Sequence, residues 1–336
     1  MFRSLRFWIG AAISVVLIVL FFRATNPGEI VDAFGEADYL YMIPAVAVLF
    51  VALYLRCYRW SLLMRPIASI PPKKLFSYAI IGYMANNLLP ARAGEVVRAY
   101  VVGDREGVSK AGTLGTIAVE RLFDGVTLVM MLLAAGAIVG LGDDRLQIIA
   151  VASTVLFVVA LGVFYWITAT AERATSIIHR LASLLPSGVG ARIESVADPF
   201  VAGLRSVHSL RTFGSVLALS IGAWMIEAAA YAIIGIGFDL GVSFAHYCLL
   251  LAAANLAIII PTFFGGTGPF EWAARLVLTT AGVATGLAGA YAIIAHAVIF
   301  IPTTIVGLIL LWVFGISLGR MSAMRVSDDE KGAAAS

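Results

Sequence analysis

Residues 86–100 read NNLLPARAGEVVRAY. The stretch follows a strongly apolar run, LFSYAIIGYMA at 75–85, and sets Arg92, Glu95 and Arg98 within seven positions. Pro90 and Gly94 interrupt any helix there. In a soluble protein this would be an ordinary loop. Its meaning depends on the chain on either side.

That chain is apolar. Of 336 residues, 61% are hydrophobic and 13% charged, with a mean hydropathy of +0.97. A soluble domain carries about 25% charge. The apolar residues form long runs, and a helix needs about 20 of them to cross a bilayer core. The composition predicts an all-α polytopic membrane protein. The basic start and apolar run at 7–23 lead into FFRATNPGE without an A-x-A cleavage pattern, so they read as a retained first span. Cys57 and Cys248 lie far apart and read as buried apolar residues, with no zinc or disulfide spacing.

Six runs are long enough to span: 7–23, 39–56, 112–141, 146–168, 213–238 and 287–315. Two more, 75–90 and 244–263, run straight into Gly, Pro and charge. Loop charge decides between them, because Lys and Arg accumulate on the cytoplasmic side. Arg3 and Arg6 place the N-terminus inside. Loop 24–38 carries four acids and no Lys or Arg after Arg23, so it lies outside. Arg56, Arg59, Arg65, Lys73 and Lys74 are inside again, as are Arg105 and Lys110. Segment 75–101 thus has both ends on one side: it enters, turns at NNLLPARAGE and returns as a re-entrant hairpin. A second hairpin, 244–282, dips from the other side, and the C-terminus is cytoplasmic. Of 23 basic residues, 17 fall inside, Arg23 and Arg145 outside, and Arg92, Arg98, Arg121 and Arg275 are embedded. Making both hairpins full spans would put Arg105 and Lys110 outside.

The two hairpins resemble each other in order of residues: Asn, Pro, a Gly-containing turn, Glu. Each half, 7–141 and 146–315, has three spans with a hairpin before the last. Three is odd, so the second half is inverted, a recurrent transporter plan with broken helices meeting near the midplane. The whole of 1–325 reads as one integral domain. Segment 170–211 reads as amphipathic cytoplasmic helices on the inner leaflet, with Arg173, Arg180 and Arg192 near lipid phosphates. Residues 326–336 read as a disordered tail.

Irregular backbone at membrane depth is tolerated where protein or a wet cavity covers it. A helix restarting near Gly94 would offer free N–H groups and the positive end of its dipole, beside Arg92. Asn86 and Asn87 lie at the same turn. In the second hairpin, Gly265, Gly266 and Gly268 allow close backbone approach. This chemistry suits a phosphate-like anion. The bland alternative is a broken helix whose charges pair internally.

The remaining embedded charges fit one network. Glu120 and Asp124 share a helix face beside Arg121, which has Glu95 as a natural partner. Glu271 and Arg275 are spaced for an i, i+4 salt bridge. Glu227, in WMIEAAAY, has no obvious partner and is a candidate proton carrier. The count is four arginines against five carboxylates, which asks for pairing or water, since each lone charge costs about 3 kcal/mol or more. His296 reads as a satisfied core histidine, and Gly136–Gly140 as helix packing.

Three motifs together resemble the lysylphosphatidylglycerol synthase transmembrane-region family, also called flippase-like domain proteins. They are N-x2-L-P-x-R-x-G-E at 86–95, E-R-x2-D at 120–124 and P-x3-G-G-x-G-x2-E at 261–271. The resemblance implies lipid movement between leaflets. It carries over Pro90, Arg92, Gly94, Glu95, Glu120, Arg121, Asp124 and Glu271 as a functional set, alongside Asn86, Asn87, Arg98, Glu227, Gly265, Gly266, Gly268 and Arg275 from the residue reading. In the synthases the domain is fused to an aminoacyl-transferase domain; none follows in these 336 residues, so synthase activity is not implied. The expected setting is a prokaryotic plasma (inner) membrane.

The leading expectation is a flippase for a phosphate-bearing or aminoacylated lipid, with an anionic or zwitterionic head group. No ATP-binding loop of the G-x4-G-K-[ST] type occurs, and no cofactor, metal or nucleic-acid partner is expected. The alternatives are a non-transporting scaffold for lipid- or glycan-pathway enzymes, and a membrane-embedded lipid-modifying enzyme. The scattered histidines disfavour the enzyme. The sequence leaves the oligomeric state open.

Overall fold

The computed structural model describes residues 27–89, 93–184, 187–207, 209–258 and 266–315. The protein is an all-α polytopic membrane protein. Within the described residues, α1 (Pro27–Glu36) is followed by a 3-10 turn (Tyr39–Tyr41), α2 (Met42–Met64), α3 (Pro72–Leu88), α4 (Gly94–Glu106) and α5 (Lys110–Val139). Then come α6 (Asp144–Ala169), α7 (Ala171–Ala182), α8 (Ser187–Leu204), α9 (Leu210–Gly237), α10 (Phe244–Ala257), α11 (Pro269–Thr280) and α12 (Thr285–Val313). Five helices are long and apolar enough to cross a membrane: α2 with its preceding turn, α5, α6, α9 and α12. The expected span 7–23 and the tail 326–336 lie outside the described residues.

Local chemistry sets the boundaries. Ser109 caps α5 by accepting from Gly112 N, and Ser209 caps α9 by accepting from Thr212 N, both at 3.1 Å. Pro72 opens α3, where its missing N–H costs nothing. Gly107, at φ 68°, ends α4 in the left-handed conformation. Large apolar side chains along α6, among them Ile148, Val151, Val155, Val158 and Val159, point outward as a lipid-facing wall.

The first broken segment is a helical hairpin. The start of α3 meets the end of α4, where Glu106 accepts from Lys74 Nζ at 3.1 Å and from Tyr78 Oη at 2.6 Å. Both outer ends therefore sit at one level. With 17 and 13 residues, the arms are about 25 and 20 Å long, short of a bilayer core of about 30 Å. A Cβ on Gly94 would lie 2.0 Å from Gly82 O, so only glycine lets the arms approach this closely. The second broken segment forms a similar pair, α10 packed on α11.

The halves pack reciprocally. α2 lies on α9, α3 on α12, and α10 on α5, while each hairpin's second arm packs on the long helix that follows it. Equivalent helices run antiparallel: Asp38 N donates to Gly237 O at 2.8 Å just before α2, while Arg59, late in α2, meets Ser220, early in α9. This is the packing expected of an inverted repeat.

Three expectations change. α2 runs to Met64, not to residue 56, because Trp60, Leu63 and Met64 are buried in the core. Two of the seventeen basic residues assigned to the cytoplasm, Arg56 and Arg59, are therefore inside the protein. Part of the acidic loop 24–38 is helix α1, packed on α12. In segment 170–211, α8 is docked on α5, where Gly115 and Gly203 meet; a Cβ on Gly115 would lie 2.3 Å from Phe200 O. Leu181 on α7 and Leu184 just beyond it are exposed.

Candidate functional site

Four arginines and four carboxylates meet where the two halves join. Arg59, fully buried on α2, is the hub. Its Nη1 donates to Asp124 Oδ1 at 2.7 Å and to Ser220 Oγ at 2.6 Å, and its Nη2 lies 3.3 Å from Glu120 Oε1. Arg98, from α4, forks onto the same Glu120 with contacts of 2.6 and 3.4 Å, and its guanidinium stacks 3.4 Å from the Trp60 ring centre. Arg56 donates to Glu227 at 2.6 Å and lies 3.9 Å over Trp224. Trp224 also donates to Asp124 at 3.2 Å.

Arg121 closes the set. It lies 3.4 Å from Glu95 and 3.5 Å from Asp124, as its position beside the hairpin predicts. The Arg121 side chain is 36% exposed, against 0% for Arg59. The network thus grades from a dry end at Arg59 to a wetter end at Arg121. Burying eight charges is tolerable here because they balance and share hydrogen bonds.

The wetter end opens on a cavity of about 160 Å³. α2, α3, α5, α9, α10 and α12 all contribute to it. Arg56, Arg121, Glu227, Asn86, Asn255 and His296 supply its polar wall, with Tyr83, Trp224, Tyr231 and Phe270 among the aromatic residues. The inner ends of the hairpin arms are tied together and to the opposite half. Asn86 Oδ1 accepts from Gly94 N at 2.7 Å, while its Nδ2 reaches Glu95 at 3.2 Å. Asn87, also on the cavity wall, ties α3 to the opposite half by donating to Thr304 Oγ1 at 2.9 Å and to Thr303 Oγ1 at 3.3 Å.

The sequence-predicted residues fall into three groups. Asn86, Asn87, Arg121, Glu227 and Gly266 line the cavity. Glu95, Arg98, Glu120 and Asp124 stand behind that wall and hold it electrostatically, while Gly94 packs the hairpin arms. Pro90, Arg92 and Gly265 lie outside the described residues.

Several pairings differ from expectation. Glu227 is not alone: Arg56, hidden in the supposed loop, is its partner. Glu271 does not turn to Arg275. It accepts from Gly268 N at 2.7 Å, capping α11, and meets His296 Nδ1 at 2.5 Å. Arg275 lies one turn further along α11, away from the cavity lining. Gly266 and Gly268 have φ of 94° and 103°, so their glycines serve a left-handed turn. His296 is satisfied, as expected of a core histidine, but it also stacks on Phe270 at 4.6 Å and lines the cavity.

The site residues missed by sequence reasoning are Arg56, Arg59, Trp224, Asn255 and His296. For the arginines a signal was present. LRCYRW is followed by SLLM, so the apolar run continues for a turn beyond Arg59.

Residues 7–307 match the lysylphosphatidylglycerol synthase TM region family. The chain belongs to that family. It is 26% identical over 326 residues to a UPF0104 membrane protein of Methanothermobacter thermautotrophicus, covering 92% of this chain and 95% of that one. It is 27% identical over 323 residues to glycosyltransferase AglD of Haloferax volcanii, covering 86% of this chain. It spans about half of AglD, 51% of that protein's length. UPF0104 membrane protein MJ1078 of Methanocaldococcus jannaschii is 22% identical over 210 residues, covering 62% of this chain and 84% of that one. No solved structure matches the chain.

Proposed function

We propose that this member of the lysylphosphatidylglycerol synthase TM region family moves a lipid with a phosphate-bearing or aminoacylated head group between leaflets, by transport and not by covalent catalysis. The observation that carries this reading is the cavity between the two halves, with Arg56 and Arg121 on its wall and Asn86 and Asn87, at the inner end of the first hairpin arm, beside them. Its volume, about 160 Å³, is on the scale of a cavity that holds one small ring. It takes a phosphate-sized group, while the chains stay in lipid. Glu227 is the counter-ion of Arg56, at 2.6 Å. An arriving phosphate competes with that carboxylate, and the release of Glu227 couples binding to a shift of α2 against α9. Arg92, by sequence at the same turn, is assigned the same anion-receiving role. Both termini face the cytoplasm of a prokaryotic plasma membrane.

The test follows leaflet exchange of head-group-labelled lipids in proteoliposomes. Arg121→Gln keeps the packing of a partly exposed side chain but removes its charge. Lipid-selective exchange by wild type, lost in Arg121→Gln and Arg92→Ala, is the expected result. No exchange of any lipid by folded protein, with and without a pH gradient, would overturn the reading. The glycosyltransferase name of one relative favours a second reading, a scaffold for enzymes of a lipid or glycan pathway. Under it, Arg121→Gln would support the pathway in cells as well as wild type does.

A further inference from the structure

A second concave site lies at the other end of the α2–α9 pair. A cleft of about 1080 Å³ is lined by Tyr58, Leu62, Arg65 and Pro66 from α2 and its exit, and by Arg205, Ser209, Arg211, Thr212, Ser215, Ala218 and Leu219 around the start of α9. Its arginines contrast with those of the inner network. Arg56, Arg59, Arg98 and Arg121 each face a carboxylate, whereas Arg65, Arg205 and Arg211 are exposed and form no ion pair among the described residues. Among the described residues, no acidic residue lines the cleft.

The cleft is also two-sided. Arg65, Arg205 and Arg211 lie at the helix ends, with the hydroxyls of Ser209 and Thr212 and the positive end of the 28-residue helix α9. One to two turns deeper, Tyr58, Leu62, Ala218 and Leu219 make an apolar wall. Tyr58 and Ala218 are exposed, so this wall faces away from the buried network. α2 is about 34 Å long, which puts Arg65 at head-group depth and Leu62 and Tyr58 at the level of the first chain carbons. Three cations lining one cleft beside an outward-facing apolar strip suit an amphiphile better than a free ion.

We infer that this cleft binds an anionic phospholipid of the leaflet on the arginine-rich side, with the head-group phosphate held by Arg65, Arg205 and Arg211 and the chains lying along Tyr58, Leu62 and Leu219. The site is separate from the central cavity, and its occupancy does not depend on transport.

The experiment is native mass spectrometry of delipidated full-length protein in mild detergent, titrated with phosphatidylglycerol or phosphatidylcholine. Wild type is expected to retain phosphatidylglycerol preferentially. An arginine near anionic lipid contributes enough for each single Gln variant to weaken binding about fivefold and the triple variant R65Q/R205Q/R211Q about a hundredfold. All three side chains are exposed and form no ion pair among the described residues, so thermal unfolding should not change; should the triple variant misfold, the singles still decide. K73Q, which removes an exposed cation of α3, should leave binding intact. Inorganic phosphate in millimolar excess should not displace the lipid. Equal retention by wild type and the arginine variants, or equal loss in K73Q, would overturn the site. Displacement by inorganic phosphate would overturn its lipid character. Transport in proteoliposomes is a separate readout, so either proposal can fail alone.

Discussion

The Arg56–Glu227 pair offers a way to separate stability from function. The two side chains are 9% and 5% exposed and 2.6 Å apart. Removing one partner of such a pair strands a buried charge, at a cost of about 3–5 kcal/mol. Replacing both with apolar side chains of similar size is often neutral or stabilising. Arg56→Met keeps contact with the Trp224 face, and Glu227→Leu keeps most of the volume on α9. Each single variant should therefore lose about 3–5 kcal/mol, while R56M/E227L should lie within about 1 kcal/mol of wild type. Equilibrium unfolding in mixed micelles measures all four proteins. Leaflet exchange measured on the same samples should be absent in the stable double variant, because the cavity has lost the cation that receives phosphate. Should the double variant be as unstable as the singles, Arg56 and Glu227 would not act as an isolated pair. Singles that cost under about 1 kcal/mol would mean that water reaches the pair and that burial does not govern it.

Other perturbations test the packing that shapes the site. Gly94→Ala places a Cβ 2.0 Å from a backbone oxygen of α3, so the hairpin should loosen by about 1–3 kcal/mol or more, while Gly35→Ala, with nothing within 4 Å, should be silent; unfolding midpoints compare them. Gly203→Ala, 2.2 Å from Gly112 O, should lift α8 from α5 and speed proteolysis between α7 and α9. Asn87→Ala removes bonds to Thr303 and Thr304 and should cost about 1–3 kcal/mol, with leaflet exchange slowed by more than the stability loss explains. Glu227→Gln leaves Arg56 without its carboxylate, so phosphate-bearing lipid should bind more tightly and leave more slowly, as read by lipid retention and exchange rate.

The sequence carried the membrane fold well because its signals are local. Hydropathy runs located all five described spanning helices, and Pro90 with Gly94 located a hairpin whose second arm starts at Gly94. Arg121 with Glu95 was legible too, since one helix position faced one hairpin acid. The rest of the network was not, because its partners are set by how α2 crosses α9. The rule that arginines gather in cytoplasmic loops pulled Arg56 and Arg59 out of the bilayer, and α2 was cut short. The same reading then left Glu227 without a counter-ion. Those two errors are one error. A carboxylate deep in a span must be neutralised, so an embedded acid with no visible partner implies a cation in a segment assigned elsewhere. Arg56 and Arg59 were the suitable cations, three residues apart, between apolar residues that continue to Met64. For Glu271 the same reasoning leads to His296, a partner that hydropathy treats as one polar residue in an apolar span. Counting buried charge against buried charge recovers contacts that neither helix periodicity nor loop charge can reach.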